Sequence, residues 1–229
     1  MRMVRGCEGN WWVKDHLTNR MRRRYADHMI LPVLILAAGA STRMRGGDKL
    51  LEDVHGAPCL QVLAKRALAT GQTVLVTLPS LDHPRARCLA DLQVTLVAVP
   101  DATLGMSRSL QRGVDALPDT AEGVMVLPGD MPDITTQDMI AMQAAFSTTD
   151  TLALRATTEA GAQGHPIIFG NALFNEFQWL GGDTGAQPIL AKLGNRLVLH
   201  PLKNDRARLD LDTPEDWSSW RARSASVLS

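Results

Sequence analysis

The sequence has few cysteines, and their arrangement excludes two kinds of small scaffold. The chain of 229 residues contains three, Cys7, Cys59 and Cys88, and no Cys-x-x-Cys pair. Such scattered thiols offer neither a disulfide framework nor a structural zinc site. We therefore expect a protein of a reducing compartment, with the cytoplasm as the default location.

The sequence also lacks an excess of charge and a long apolar run. Lys+Arg and Asp+Glu both number 24, which argues against a general nucleic-acid binder. No apolar run approaches the roughly 20 residues of a membrane-spanning helix, so no membrane partner is expected. Residues 1–28 alone carry a net charge of +4. We predict that they form a disordered or loosely docked extension before a domain at residues 29–223 and a frayed tail at residues 224–229.

Two familiar glycine motifs are missing. Neither G-x-x-x-x-G-K-[ST] nor G-x-G-x-x-G occurs after the first apolar run, which disfavours a P-loop enzyme and a dinucleotide-binding dehydrogenase. Instead, residues 34–49 pass from apolar to small residues and then to Arg43 and Lys49. Small residues let backbone N–H groups approach phosphate oxygens, and the cations offset their charge. This stretch predicts a polyphosphate-binding loop, with a solvated loop carrying ordinary surface cations as the alternative.

Hydrophobic periodicity predicts an α/β protein. Strand-like runs at 33–36, 73–78, 94–99 and 123–127 alternate with helix-like runs at 58–70, 84–92 and 107–117. Further helices are predicted at 135–146, at 184–193 with Asp183 as N-cap, and after Thr213, with strands at 151–156, 166–169, 197–200 and 209–211. This order predicts a single-domain, Rossmann-like fold with a mostly parallel, mixed sheet covered by helices on both faces. The ligand crevice then lies at the carboxyl ends of the strands, where residues 37–49, 100–107 and 128–133 meet.

Carboxylates at two places suggest a metal site. Asp130 follows a buried strand inside Pro-Gly-Asp-Met-Pro, which makes it a candidate Mg²⁺ ligand, although an aspartate in a turn also binds its own backbone. Asp210 and Asp212 alternate with leucines and would project from one face of a strand. Either of them is a candidate second ligand.

Three other motifs are weaker signals. His165, between Gly164 and Pro166, is either a contact to an anionic substrate or an ordinary loop histidine. Asp183, in Gly-Asp-Thr-Gly, is either a functional residue or the cap of the helix that follows it. Residues 105–109 place small polar groups at a helix start, where N–H donors can meet a base or phosphate, and Ser107 is the predicted N-cap.

Together these motifs resemble the MobA-like nucleotidyltransferases, and most closely the molybdenum cofactor cytidylyltransferase branch. The family pattern is L-A-A-G-x-S-x-R-M followed by a Lys, then G-M-x-x-S-L, P-G-D-M-P, G-H-P, G-D-x-G and D-x-D-T-P-E-D. All of these elements occur in order between Leu36 and Asp216. One departure is Arg45, which lengthens the spacing to Lys49 as in guanylyl members, so the choice of base stays open.

The resemblance implies an Mg²⁺-dependent enzyme that transfers CMP from CTP to the phosphate of molybdopterin and releases pyrophosphate. Guanylyl transfer, transfer to a sugar phosphate, and a non-catalytic accessory protein for cofactor delivery are the alternatives. A molybdoenzyme or its chaperone is a further partner that the resemblance allows. The implied site consists of Arg43 and Lys49 on the phosphates; Leu36, Ala37, Ala38, Gly39, Ser41, Gly105 and Ser109 around the nucleotide; Asp130 and Asp210 on Mg²⁺; and Gly164, His165, Pro166 and Asp183 toward a phosphorylated pterin.

Overall fold

The strands and helices alternate along the chain as the hydrophobic pattern predicts. The structure is a computed structural model that describes residues 29–227, so the predicted extension at residues 1–28 lies outside the described residues. In the first half the elements are β1 (Val33–Leu36), β2 (Asp53–Val54), β3 (Ala57–Pro58), α1 (Cys59–Leu68), β4 (Val74–Leu78), α2 (Pro84–Arg87), β5 (Thr95–Ala98), α3 (Met106–Asp115) and β6 (Gly123–Pro128).

The second half contains the two longest helices and the remaining strands. Thr135 begins one helix with a capping box in which its hydroxyl and the Asp138 carboxylate satisfy each other's backbone N–H groups. The last helix runs to Val227, beyond the predicted end near residue 223. The elements are α4 (Thr136–Thr148), β7 (Ala153–Thr157), β8 (Gln163–Gly170), α5 (Gln187–Ala191), β9 (Leu197–Pro201) and α6 (Pro214–Val227).

The main sheet has seven strands in the order β5-β4-β1-β6-β8-β7-β9. β1 lies between β4 and β6 and pairs with both in parallel. β8 runs antiparallel to both of its neighbours, β6 and β7, while β9 pairs with β7 in parallel. The predicted mostly parallel, mixed sheet is therefore confirmed.

Helices cover both faces of this sheet. In β1, Val33 and Ile35 belong to an apolar cluster with α1 and α4, whereas Leu34 belongs to a cluster with α3 and α5. All three side chains are fully buried, and burial of each contributes about 1.5–3 kcal/mol. A continuous apolar run is what a strand needs when both of its faces are covered.

The structure corrects two sequence predictions near the sheet edge. Residues 209–211 form no strand; the Leu211 amide donates to the carbonyl of Asp130 at 3.2 Å, which ties this segment to the loop after β6. The predicted helix at 184–193 is shorter, with α5 beginning at Gln187, and Asp183 does not cap it. None of the described helices is long and apolar enough to cross a membrane.

Candidate active site

A hollow of about 420 Å³ lies over the carboxyl ends of β1 and β6. It collects the residues predicted to surround a nucleotide, with the exception of Ser41. A smaller hollow of about 200 Å³ shares Lys49 with it and adds Ser41, Arg43 and Asp212. The larger one is lined by Leu36, Ala37, Ala38, Gly39, Ala40, Thr42, Lys49, Leu50, Ala102, Thr103, Gly105, Met106, Ser109, Pro128, Gly129, Asp130 and Asp183.

The loop after β1 leaves its backbone donors available. The Ala37 amide still bonds to the Thr77 carbonyl at 3.1 Å, but within residues 29–227 the amides from Ala38 to Ser41 have no acceptor. Ser41 adopts a left-handed conformation with φ of 52°, which turns the chain sharply there. Successive free N–H groups in such a turn form a concavity suited to an anion.

Lys49 joins two acidic side chains across the hollow. Its ammonium contacts Asp130 Oδ2 and lies 2.7 Å from Asp212 Oδ1. Arg43 Nη1 lies 2.7 Å from the other oxygen of Asp212. The side chains of Lys49 and Asp130 are 18% and 8% exposed. The two predicted cations are thus both linked to carboxylates at the same edge of the sheet.

Electrostatics keep Lys49 charged. Burial lowers the pKa of its ammonium, but the charges and hydrogen bonds of Asp130 and Asp212 outweigh burial and raise the pKa above its usual value. Asp130 Oδ1 is buried and has no hydrogen-bond partner among the described residues. A buried carboxylate oxygen without a partner is costly unless another cation meets it.

The donor set fits a metal ion that needs few protein ligands. Among the described residues, no group of three or more His, Cys, Asp or Glu side chains could hold a metal. Mg²⁺ is commonly held by one or two carboxylates, with waters and substrate phosphates completing its shell. The structure brings Asp212, and not the predicted Asp210, to Lys49: Asp210 is exposed, and its amide donates to the Arg208 carbonyl. The expectation that both project from one strand fails because no strand forms there.

Sequence reasoning missed Arg85, a fully buried residue of α2. Its Nε and Nη2 donate to Asp48 at 2.7 and 2.9 Å, and Nη2 also donates to Ser41 Oγ at 2.9 Å. Nη1 donates to the carbonyls of Ala37 and Gly39 at 2.6 and 2.7 Å. These bonds occupy all five N–H donors of the guanidinium. The available signal was its place just after β4, at the carboxyl edge where ligand loops gather.

The predicted Gly-Asp motif supports the start of α3. The Met106 amide donates to Asp183 Oδ1, and the Ser107 amide to the Gly182 carbonyl, both at 3.1 Å. A Cβ at Gly105 would lie 2.4 Å from the carbonyl carbon of Gly182, so only glycine allows this approach. Asp183 therefore caps α3 across space, and the prediction that Ser107 is the N-cap is wrong because Gly105 holds that position.

The Gly164-His165-Pro166 motif lies in β8, outside both hollows. Burial, together with the nearby charge of Arg155, lowers the pKa of His165 to about 4, although Asp210 acts in the opposite direction. His165 is therefore neutral at pH 7 and offers an anion a hydrogen bond but no positive charge. Ile167 pairs with Val126, so this motif lies beside the carboxyl end of β6, but it lines neither of the two hollows that contain Lys49.

Comparison with known proteins shows the family of this chain. Residues 33–197 match the family described as the MobA-like NTP transferase domain. The "Bifunctional protein GlmU" of Desulfotalea psychrophila is 33% identical over 133 residues, which are 57% of this chain and 39% of that protein. The chain thus matches less than half of that relative's length.

Solved structures extend the similarity to nearly the whole described fold. Rv0371c from Mycobacterium tuberculosis superposes with a TM-score of 0.73 at 21% identity, covering 84% of this chain and 97% of that one. Another structure of Rv0371c is a complex with manganese. The molybdopterin-guanine dinucleotide biosynthesis protein A of Archaeoglobus fulgidus gives 0.61 at 14% identity, covering 86% of this chain and 100% of that one. With the family match over most of the domain, the chain belongs to the MobA-like NTP transferase family and is a nucleotidyltransferase.

Proposed function

We propose that this protein transfers CMP from CTP to the phosphate of a molybdopterin-type pterin, with a divalent metal ion, and releases pyrophosphate. The observation that carries the proposal is the Lys49 ammonium between Asp130 and Asp212, beside a loop with free amides. This arrangement provides donors for phosphate oxygens and carboxylates for a cation in two hollows that share Lys49.

The loop residues have distinct roles in this proposal. Free amides from Ala38 onward bind the triphosphate, while Arg43 and Lys49 neutralise charge on its β- and γ-phosphates. Small side chains at Ala37, Ala38 and Gly39 let the nucleotide approach the backbone closely. Gly105 and Ser109, which line the same hollow, would contact the base or the ribose.

Asp130 and Asp212 would hold the metal ion, and the partnerless Oδ1 of Asp130 supports this assignment. When bound, Mg²⁺ supplies charge neutralisation and orientation of substrate phosphates. With these carboxylates engaged by a metal ion, the Lys49 ammonium would turn to the leaving pyrophosphate.

The proposed reaction needs no general base. An oxygen of the acceptor phosphate, already an anion, forms a bond to the α-phosphorus, and the bond from that phosphorus to the α,β-bridging oxygen breaks. The electron pair leaves with pyrophosphate, where Lys49 and Arg43 stabilise the developing charge. Catalysis then rests on positioning and electrostatics.

The cytidine base and the pterin acceptor rest on the motif resemblance described above. The fold similarity to the Archaeoglobus fulgidus protein, whose title names molybdopterin-guanine dinucleotide biosynthesis, supports a pterin acceptor but favours GTP equally. Guanylyl transfer, with the longer spacing between Arg43 and Lys49 in its favour, is therefore the second candidate.

The test is pyrophosphate release with each of the four nucleoside triphosphates in turn, with Mg²⁺ and either molybdopterin or a sugar 1-phosphate as acceptor. We expect pyrophosphate only with CTP and molybdopterin together. If GTP is the only nucleotide that supports turnover, the enzyme is a guanylyltransferase. If turnover occurs only with the sugar phosphate, the acceptor is a sugar phosphate and not molybdopterin. No pyrophosphate under any combination would contradict transferase function in this chain.

A further inference from the structure

We propose that Arg85 is a positioning residue that holds the phosphate-binding loop in its nucleotide-ready conformation. The inference rests on the proposed function, since it assigns a role in the same site. Arg85 borders a neighbouring hollow of about 450 Å³, together with Ser41 and Asp48, and not the hollow that contains Lys49 and Asp130. Its five N–H donors are all used within the protein. It therefore acts on the nucleotide through the loop.

Peptide geometry explains how Arg85 directs the loop amides. The carbonyls of Ala37 and Gly39 both point to its Nη1. In a planar trans peptide, the C=O of one residue and the N–H of the next point in opposite directions. The amides of Ala38 and Ala40 are thus turned away from Arg85. Both residues line the hollow that contains Lys49 as well as the neighbouring one that Arg85 borders.

Removing the guanidinium would release both carbonyls. A carbonyl that rotates toward the hollow places a partial negative charge where phosphate oxygens must bind, and it removes an N–H donor from the same place. Such a rotation should weaken nucleotide binding more than it disturbs the packed core, because Ala38 has only a methyl side chain and Gly39 has none.

The same guanidinium fixes the far end of the loop. Arg85 donates to both carboxylate oxygens of Asp48, and Asp48 Oδ1 also accepts from the Leu50 amide at 3.0 Å. Lys49 follows Asp48 directly, so its backbone is set by this contact. One side chain thus connects the loop amides with the cation that faces Asp130.

Arg85 is itself well anchored. It sits in α2 just after Pro84, and its amide bonds to His83 Nδ1 at 3.3 Å. A lysine here would keep the charge but supply a single ammonium group with no planar fork, and it could not reach two carbonyls and both oxygens of Asp48 together.

The experiment compares Arg85→Lys, Arg85→Gln and Asp48→Asn with the wild type by calorimetric titration. The probes are tripolyphosphate and the nucleoside triphosphate that the wild type binds, each with Mg²⁺, at a temperature where every variant is fully folded. We expect both Arg85 variants to lose about 10- to 100-fold in affinity for both probes. Asp48→Asn should lose less, and combining it with Arg85→Gln should add little, because both act on one contact.

Phe177→Leu is the matched control, since Phe177 is buried beside Phe169 and lies away from the loop. Phe177→Leu should lower the melting temperature and leave the affinity for both probes unchanged. The Arg85 variants would behave in the same way if Arg85 had only a structural role. If Arg85→Gln does not fold, Arg85→Lys and Asp48→Asn carry the test. If both of these variants bind the probes with wild-type affinity, the inference about Arg85 is overturned and the proposed function is not affected. A wild type that binds no nucleoside triphosphate overturns the proposed function as well.

Discussion

At the scale of single residues, the site depends on cations that are held by carboxylates before any substrate arrives. Lys49 contacts Asp130 and Asp212, and Arg43 contacts Asp212. The sequence predicted Asp130, Arg43 and Lys49 as site residues, because each stands at the end of a buried strand or in the loop that follows one. It left Asp210 and Asp212 as alternatives, since only the three-dimensional path of residues 206–212 decides which carboxylate reaches Lys49.

Substitutions of Lys49 and Asp130 test this arrangement directly. Lys49→Ala removes the positive charge that would stabilise the leaving pyrophosphate, and Asp130→Ala removes a proposed metal ligand. Each should lower the rate of pyrophosphate release by about 10²- to 10³-fold while the circular dichroism spectrum stays that of the wild type. Arg45→Ala is the control, because Arg45 makes an exposed ion pair with Glu215. Rates near the wild type in both site variants would discredit the assignment.

His165 gives a pH dependence whose sign follows from its burial. Its pKa is about 4 in the folded chain, against about 6.5 for an ordinary histidine. Between these values the unfolded state binds more protons, so the free energy of unfolding falls as pH drops from 6.5 to 4. His165→Gln should therefore show a smaller loss between pH 7 and pH 4.5, by on the order of 2 kcal/mol, in urea denaturation. Parallel losses in the variant and the wild type would refute this origin.

At the scale of elements, local pattern predicted well and long-range partners were missed. The run at β1 is apolar throughout, and that at β4 contains a single hydroxyl residue, Thr77, so these strands were predictable from the residues alone. The direction of β8 was not, because alternation of side chains is the same in parallel and antiparallel strands. The sequence predicts Asp183 as the cap of the helix that follows it. Asp183 instead caps α3, since its carboxylate accepts from the Met106 amide and not from its own segment.

Gly164 shows why one of the motif glycines is needed. A Cβ at this position would lie 1.8 Å from the Ala207 carbonyl oxygen, because β8 passes directly against residues 206–208. Gly164→Ala must push these segments apart and should lower the free energy of unfolding by about 2 kcal/mol or more. Gly181→Ala is the control, since a Cβ there meets nothing within 4 Å. Equal urea midpoints for the two variants would contradict this packing role.

At the scale of the molecule, the fold places the site at one edge of the sheet. The described contacts of the site come from the loop after β1, the start of α3, the loop after β6 and the segment before α6. The alternation of elements was enough to predict that these loops gather at the carboxyl ends of the strands. Arg85 escaped prediction, because its partners (a carboxylate, a hydroxyl and two carbonyls) are distant in sequence, and its place after β4 was the one signal available.

Deletion of residues 1–28 tests the domain boundary that the sequence suggests. Every described contact of the site is made by residues after position 35, so we expect the truncated chain to release pyrophosphate at the rate of the full chain. The measurement is a side-by-side assay at equal concentrations of folded protein. A large loss of rate in the truncated chain would assign a role in catalysis to the basic extension.

The central claim is that a triphosphate binds between the loop after β1 and the carboxylates of Asp130 and Asp212. Its most direct test is thermal unfolding of the full chain with each of the four nucleoside triphosphates and Mg²⁺, alongside Lys49→Ala. A nucleotide at 100 times its dissociation constant should stabilise the wild type by about 2.7 kcal/mol, with CTP giving the response and Lys49→Ala giving little. Absence of stabilisation by all four nucleotides, or an equal response in Lys49→Ala, would contradict the claim.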